Sequence, residues 1–204
     1  MQRLSITLSR LTLETAPDHA SIDSALAAPL EFPSVSGYRR YLCTLYGFLA
    51  PLEASLILTP GIDLPFVQFR LKAGLLANDV MSLGLTRREF GLLSNRHTIP
   101  AFGSVAEALG WLYVVERTTL QHENLCHRVA TEAPVAYELA SSYLNAYDGT
   151  VRLRWRELGA HLDQVASSEE ADRIVAGAHA GIASLHDWLD RHAQVAAGLE
   201  SLAS

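Results

Sequence analysis

The sequence predicts an all-α fold made of several helices. Apolar residues recur at spacings of three and four along most of the chain, which is the repeat of an amphipathic helix. No Asn-Gly or Asp-Gly pair lies between two alternating apolar runs, so the usual signal of a β-hairpin is missing. The chain has 204 residues, 49% of them hydrophobic, which is enough for one sizeable core. We therefore expect residues 1–204 to form a single helical domain.

Capping boxes and prolines predict where the helices begin and end. In a capping box, a hydroxyl accepts a hydrogen bond from the amide three residues later, and the Glu at that position returns one. This pattern occurs at residues 86–89, 104–107 and 167–170. Proline cannot continue a helix, and the prolines that mark other boundaries are Pro29, Pro33, Pro60, Pro65, Pro100 and Pro134. The predicted helices cover residues 3–28, 36–58, 66–84, 87–94, 104–130, 134–147, 150–166 and 168–200, with candidate kinks at Pro17 and Pro51.

Composition excludes several classes of protein. Cys43 and Cys126 do not form a CxxC motif, so we expect two reduced thiols rather than a disulfide or a zinc site. The longest uncharged apolar run, residues 41–51, is shorter than the roughly 20 residues that a membrane span needs. No signal-type segment follows Met1, so we expect a cytoplasmic protein. The net charge of −6 opposes non-specific binding to nucleic acid or to anionic lipid.

His19 is the first residue that suggests a chemical role. Thr15 and Asp23 lie four residues to either side of it, so the three side chains share one face of a helix. A lone histidine on a helix is common at the surface and in cores. The residues alone therefore leave a structural role and a ligand role open.

Several segments, in the same order along the chain, resemble the heme oxygenase family. Around His19, the spacing of Leu11, Thr15, His19 and Asp23 is similar to the pattern around that family's proximal histidine. The later segments that look like the family are residues 41–56 with Pro-Leu-Glu, 70–84 with Arg-x-Lys and Leu-Gly, 110–120, 143–147, Trp155 and 185–189. The last of these are similar to the bacterial, phytochrome-associated branch. The resemblance spans roughly residues 9 to 190.

The resemblance implies a fold, a ligand and a reaction. The family is all-helical, and its proximal histidine, here His19, binds the heme iron. Heme is both cofactor and substrate, and dioxygen with electrons from a reductase or ferredoxin converts it to biliverdin, CO and iron. The branch also implies a bilin photoreceptor as a partner. Neither a nucleic acid nor a membrane is expected as a partner.

The chain departs from the family at its distal helix, which passes over the heme. Members of the branch read Gly-Trp-Leu-Tyr-Val-x-Glu-Gly-Ser-Thr-Leu-Gly-Gly there, and the last three glycines let the backbone approach the iron because they have no Cβ. This chain has Arg117, Gln121 and His122 at those three positions. Long side chains over the iron would crowd its sixth coordination position.

Three outcomes remain open at this point. In the first, which we predict, the three long side chains turn away or hydrogen-bond at the rim, and Thr118 or Thr119 organises water in a working oxygenase. In the second, His122 or Gln121 binds the iron opposite His19, which gives a closed, non-catalytic heme protein for sensing or storage. In the third, the fold holds no heme and serves another small molecule or a protein partner.

Arginines are the expected partners of the heme propionates. Arg10, Arg152 and Arg154 flank the helices concerned, and the last two belong to the basic run from residue 152 to 156. A site of protein ligands alone is not expected, because the chain has no Glu-x-x-His and no His-Glu-x-x-His motif. His179, His186 and His192 recur along one helix without a supporting acidic or cysteine pattern, which favours a partly exposed face.

Overall fold

The computed structural model describes residues 5–27, 34–93 and 97–202, with side chains through residue 192. Within these ranges the chain forms helices and no β-strand, which confirms the all-α prediction. The helices are α1 (Ile6–Glu14), α2 (Ala16–Ala27), α3 (Val35–Ile57), α4 (Leu64–Gln68), α5 (Ala73–Ser82), α6 (Arg87–Leu93), α7 (Val105–Thr118), α8 (His122–Glu132), α9 (Pro134–Leu139), α10 (Val151–Val165) and α11 (Ser168–Leu202). A 3₁₀ turn, Thr119–Gln121, joins α7 to α8.

The first predicted helix is in fact two helices. The chain turns at Thr15, and α2 begins at Ala16. Pro17 explains the break, because it has no amide to donate to the carbonyl four residues earlier. Pro51, by contrast, lies inside α3, which continues through it. The predicted boundaries at residues 3 and 28, and those marked by Pro29 and Pro33, lie outside the described residues.

Two further predicted helices are divided or shortened by carboxylates from distant segments. The prediction 66–84 becomes α4 and α5, because Glu53 of α3 accepts hydrogen bonds from the amides of Lys72 (2.6 Å) and Ala73 (3.0 Å), where α5 begins. The prediction 134–147 ends at residue 139, and the Asp79 carboxylate accepts from the amides of residues 142 and 143 in the turns that follow. The prediction 104–130 is interrupted by the 3₁₀ turn.

The three predicted capping boxes all mark helix starts, and one of them forms in full. The Thr86 hydroxyl accepts from the amide of Glu89, whose carboxylate accepts from the Thr86 amide at 2.9 Å. Ser104 and Ser167 each accept from the expected amide three residues later. In those two boxes the glutamate has another partner: Glu107 accepts from the Gly103 amide, and Glu170 pairs with an arginine of its own helix.

The core lies between α3, α7 and α11. The α7 and α11 backbones come into direct contact, because two glycines lie where they cross. A Cβ on Gly110 would lie 2.2 Å from the Ile174 carbonyl oxygen, and a Cβ on Gly177 would lie 2.5 Å from the Glu107 carbonyl oxygen. This contact fixes the position of α7. No described helix combines the length and apolar composition of a membrane span.

Candidate functional site

The face of α2 that contacts α7 carries His19. Its side chain is 3% exposed, and its ring meets the ring of Tyr113 edge-on at a centroid distance of 5.5 Å. The Nε2 atom is buried and has no hydrogen-bond partner among the described residues. His19 therefore presents an unused nitrogen inside the protein.

The break between α1 and α2 helps to place this histidine. Thr15 lies at the break and donates its hydroxyl proton to the Leu11 carbonyl at 2.7 Å. Its oxygen is 3.0 Å from the Tyr113 hydroxyl, which is then the donor of that second hydrogen bond. Tyr113 is thereby fixed as the surface against which His19 packs.

His19 is neutral at neutral pH. Burial, followed by the positive charge of Arg117, lowers its pKa from 6.5 to about 4, and the charge of Asp18 acts in the opposite direction. An imidazole must be deprotonated to bind a metal, so this environment favours the ligand form.

An ion pair crosses from α2 to α7 one turn beyond His19. The Nη1 atom of Arg117 lies 3.0 Å from each carboxylate oxygen of Asp23, and both side chains are partly exposed. Gln121 donates to the same carboxylate at 3.5 Å. Two of the three residues that replace family glycines are therefore directed to Asp23 at the edge of the cleft.

A small cavity lies between α2, α3 and the start of α8. Its volume is about 170 Å³, below the roughly 300–1,000 Å³ of typical ligand pockets. The lining residues are Asp23, Leu26, Tyr41, Thr118, Gln121, Asn124, Leu125 and Arg128. A larger groove of about 660 Å³ runs between α1 and α10, with Leu8 and Trp155 in its walls. His19 and Arg117 are not among the residues that line the smaller space. We name the region between α2 and residues 117–128, which includes that space, the α2–α7 cleft.

The two predicted catalytic threonines differ in position. Thr118 lines the cavity, and its hydroxyl donates to the Val115 carbonyl at 2.8 Å. Thr119 is 3% exposed, is not among the lining residues, and donates to the Glu116 carbonyl at 2.7 Å. Of the two, only Thr118 faces the cleft.

His122 turns into the core. It is 2% exposed and packs edge-on against Tyr143 at a centroid distance of 4.7 Å. Burial, followed by the charge of Lys72, lowers its pKa to about 3. The backbone of Leu144 opposes this lowering, although its contact lies outside hydrogen-bonding geometry. Neither ring nitrogen has a hydrogen-bond partner among the residues that the structure describes. Gln121, and not His122, is the neighbour that lines the cavity.

A buried ionic network supports α7 from the other side, and sequence reasoning did not assign it. Glu116 pairs with Lys72, lies 3.5 Å from Arg70, and accepts from the Tyr147 hydroxyl at 2.9 Å. The side chains of Glu116 and Lys72 are almost fully buried. The Arg-x-Lys segment was visible in the sequence, but its partner on α7 was not.

The three predicted propionate partners are not equivalent. Arg10 pairs with Glu14 and Asp172, each at 2.6 Å, and Arg154 pairs with Glu157 at 3.0 Å. Arg152 is exposed on the first turn of α10 and has no ion pair within the described ranges. The structure thus leaves Arg152 the most available of the three for an anionic group.

The residues present fit a heme on the α2 side of the cleft. A buried, neutral and unpartnered imidazole nitrogen is what an axial iron ligand requires. In the part of the chain that the structure describes, no group of three or more His, Cys, Asp or Glu side chains could hold a metal ion by itself. On the α7 side, the Arg117–Asp23 pair joins the two helices and only a small cavity remains. This pair has to separate before a porphyrin can lie between them.

Comparison with known proteins is consistent with a site that fits heme. No family model matches the chain. Heme oxygenase PigA of Pseudomonas aeruginosa is 28% identical over 196 residues, which cover 93% of this chain and 94% of the relative. The likeness therefore extends over nearly the whole of both chains and supports the heme oxygenase family for this protein.

Proposed function

We propose that this protein binds heme in the α2–α7 cleft and cleaves it to biliverdin, CO and iron, with dioxygen and electrons from a reductase or ferredoxin. The observation that carries this proposal is His19, a buried and neutral histidine whose Nε2 has no partner. The heme itself supplies the iron at which dioxygen reacts and the ring carbon that is attacked.

The protein residues would orient the heme and limit the water around it. His19 would hold the iron from α2, with Tyr113 and Thr15 fixing the surroundings of the imidazole. Leu26 and Leu125 give the cavity apolar walls. Arg152, which is exposed and has no ion pair with another described residue, is the candidate partner of a propionate.

On the opposite face, the missing glycines need not block the reaction. Arg117 and Gln121 are held by Asp23 at the cleft edge, and His122 lies in the core. Thr118 is left as the hydroxyl at the cavity wall, where it can accept a hydrogen bond from water. This arrangement supports the first of the three outcomes open from the sequence.

A second candidate function is a closed, non-catalytic heme protein. Its support is the buried His122, whose two ring nitrogens both lack partners. For His122 to bind the iron opposite His19, α8 would have to rotate, because Gln121 now lines the cavity. Under either function, delivery of product to a bilin photoreceptor stays a prediction from the branch that the sequence resembles.

Hemin titration of the purified protein tests heme binding. We expect saturation at one heme per chain, and loss of the specific spectrum in His19→Ala. His127→Ala is the matched control, because His127 is exposed on α8. An unchanged spectrum in His19→Ala would contradict the ligand assignment, and no spectral change in the wild-type protein would remove both heme functions.

Turnover separates the two heme functions. With a reductant and dioxygen, the oxygenase should lose its heme spectrum and form biliverdin. A low-spin spectrum that persists, and that His122→Ala abolishes, would instead indicate the closed protein. Replacing Arg117 and Gln121 together by glycine tests whether these two side chains restrict the cleft, and turnover should then rise; His122 is left in place because it lies in the core.

A further inference from the structure

Three buried polar atoms that have no hydrogen-bond partner in the described part of the chain lie together behind the α2–α7 cleft. They are Nδ1 and Nε2 of His122 and the hydroxyl of Tyr143. His122 is 2% exposed and Tyr143 is fully buried, and their rings meet at 4.7 Å and 63°. Buried polar groups nearly always have a hydrogen-bond partner, supplied by protein or by ordered water. This cluster is therefore a buried polar site whose hydrogen-bonding capacity the described residues do not fill.

Thr118 connects this cluster to the cavity. Its hydroxyl proton is committed to the Val115 carbonyl, so its oxygen can only accept a further hydrogen bond. Burial raises the pKa of Tyr143, and the Thr118 hydroxyl is near enough to the phenol to oppose that rise, although the two lie outside direct hydrogen-bonding geometry. The same threonine lines the cavity. The cluster and the cleft thus share one side chain.

The two rings are held in place by their surroundings. Asp79 accepts from the backbone amide of Tyr143 at 2.8 Å, which fixes the turn that carries it. The nearby charge of Lys72 opposes protonation of His122. A neutral imidazole offers one donor and one acceptor nitrogen, and a phenol hydroxyl offers both functions. Such groups suit a water molecule, which typically makes about three hydrogen bonds when buried.

We propose that His122 and Tyr143 form a water site behind Thr118 and act as positioning residues for the hydroxyl that faces the cleft. The water bonds to His122, Tyr143 and Thr118, so each partner gains a hydrogen bond and the Thr118 oxygen keeps one orientation. The inference rests on the proposed function only in that the cleft is taken as the reaction site. It gives His122 a role distinct from binding iron.

The first test uses the heme-free protein. Nuclear magnetic resonance of ¹⁵N-labelled histidine should show His122 neutral, in one tautomer, with a cross-peak from its ring N–H to a long-lived water. Tyr143→Phe and Thr118→Val should weaken that cross-peak and mix the tautomers, whereas Thr118→Ser should keep both. Tyr38→Phe is the control, because Tyr38 is a fully buried tyrosine whose hydroxyl bonds to the Ala140 carbonyl.

The second test uses the heme-loaded protein. Thr118→Val and Tyr143→Phe should lower the turnover rate by roughly tenfold, the size expected for one lost hydrogen bond, without changing heme affinity. Thr118→Ser keeps the hydroxyl and should therefore have the turnover rate of the wild type. If the heme-free protein shows no water cross-peak, and the tautomer ratio of His122 is the same in Tyr143→Phe and Thr118→Val as in the wild type, the water site is wrong whatever the turnover rate. If the cross-peak is present and the protein binds no heme, the water site stands and the proposed function fails.

Discussion

Arg117 of α7 donates to both carboxylate oxygens of Asp23 on α2, at 3.0 Å each. Asp23 lies one turn after His19, so this pair joins the helix of the proposed ligand to the helix opposite. The side chains are about one-fifth exposed, and ion pairs in such positions contribute about 1 kcal/mol or less. The α2–α7 cleft is therefore closed by an interaction that an entering ligand can displace.

Removing this pair should speed ligand entry. In Asp23→Ala we expect hemin to associate several-fold faster than in the wild type, because α2 is no longer joined to α7. Salt should accelerate association in the wild type, where it screens the pair, more than in the variant. Stopped-flow absorbance measures both rates.

Asp18→Ala is the matched control for this experiment. Asp18 is on the same helix, is about half exposed, and has its carboxylate 3.8 Å from His179 rather than paired with Arg117. Its removal should leave the association rate unchanged. Equal rates in all three proteins would show that the Arg117–Asp23 pair does not limit entry.

The heme-free protein should lose stability as the pH falls below neutrality. Burial lowers the pKa of His19 to about 4 and that of His122 to about 3, whereas both residues titrate near 6.5 when unfolded. Between these values the unfolded state binds more protons, so the free energy of unfolding decreases as the pH falls from about 6.5 to 4. Each histidine contributes a slope of up to about 1.4 kcal/mol per pH unit.

Urea unfolding at several pH values measures this slope. His122→Leu should reduce it by close to one proton, because leucine removes one buried titrating group. His127→Leu, at an exposed position of the same helix, should leave it unchanged. A slope that is the same in both variants would mean that His122 is not buried in a neutral form.

Breaking the buried ionic network should be costly, and removing both charges should cost less. Lys72→Met leaves Glu116 buried beside only Arg70 and Tyr147, and we expect a loss of about 3–5 kcal/mol in the free energy of unfolding. Lys72→Met with Glu116→Gln should recover part of that loss. Additive losses in a double-mutant cycle would show that the pair is not coupled.

The crossing of α7 and α11 should not tolerate a methyl group. Gly110→Ala places its Cβ 2.2 Å from a backbone oxygen, so we expect a loss of about 3 kcal/mol or more. Gly74→Ala is the control, since a Cβ there meets nothing within 4 Å in helix α5, and it should stabilise the protein by up to about 1 kcal/mol. Thermal unfolding distinguishes the two.

Local sequence patterns predicted those features that depend on residues within one helix, such as which side chains share a face. Thr15, His19 and Asp23 were expected on one face, and all three do contact α7 residues, the first two at Tyr113 and the third at Arg117. The start of α5 could not be predicted in the same way. Its amides are capped by Glu53, which lies 19 residues earlier on another helix. Such long-range partners exist only once the helices are packed.

The same limit applies to the candidate site: the sequence showed which residues are present but not which partners they contact. Replacement of the glycines was visible at Arg117, Gln121 and His122, but their directions were not. Arg117 and Gln121 meet Asp23, whereas His122, one residue further on, meets Tyr143 in the core. Which way each side chain points depends on the 3₁₀ turn between α7 and α8, and the sequence predicted one uninterrupted helix there.

The glycine contact between α7 and α11 has a consequence for the ligands that the protein can accept. Backbone touches backbone at Gly110 and Gly177, so α7 has no space behind it into which it could retreat. The helix of His19 is separated from α1 by the break at Thr15, and it also packs against α11, but it contains no glycine that would bring its backbone against a neighbour. One wall of the cleft is therefore rigid and the other is adjustable, and the breadth of molecules admitted depends on how far α2 can tilt.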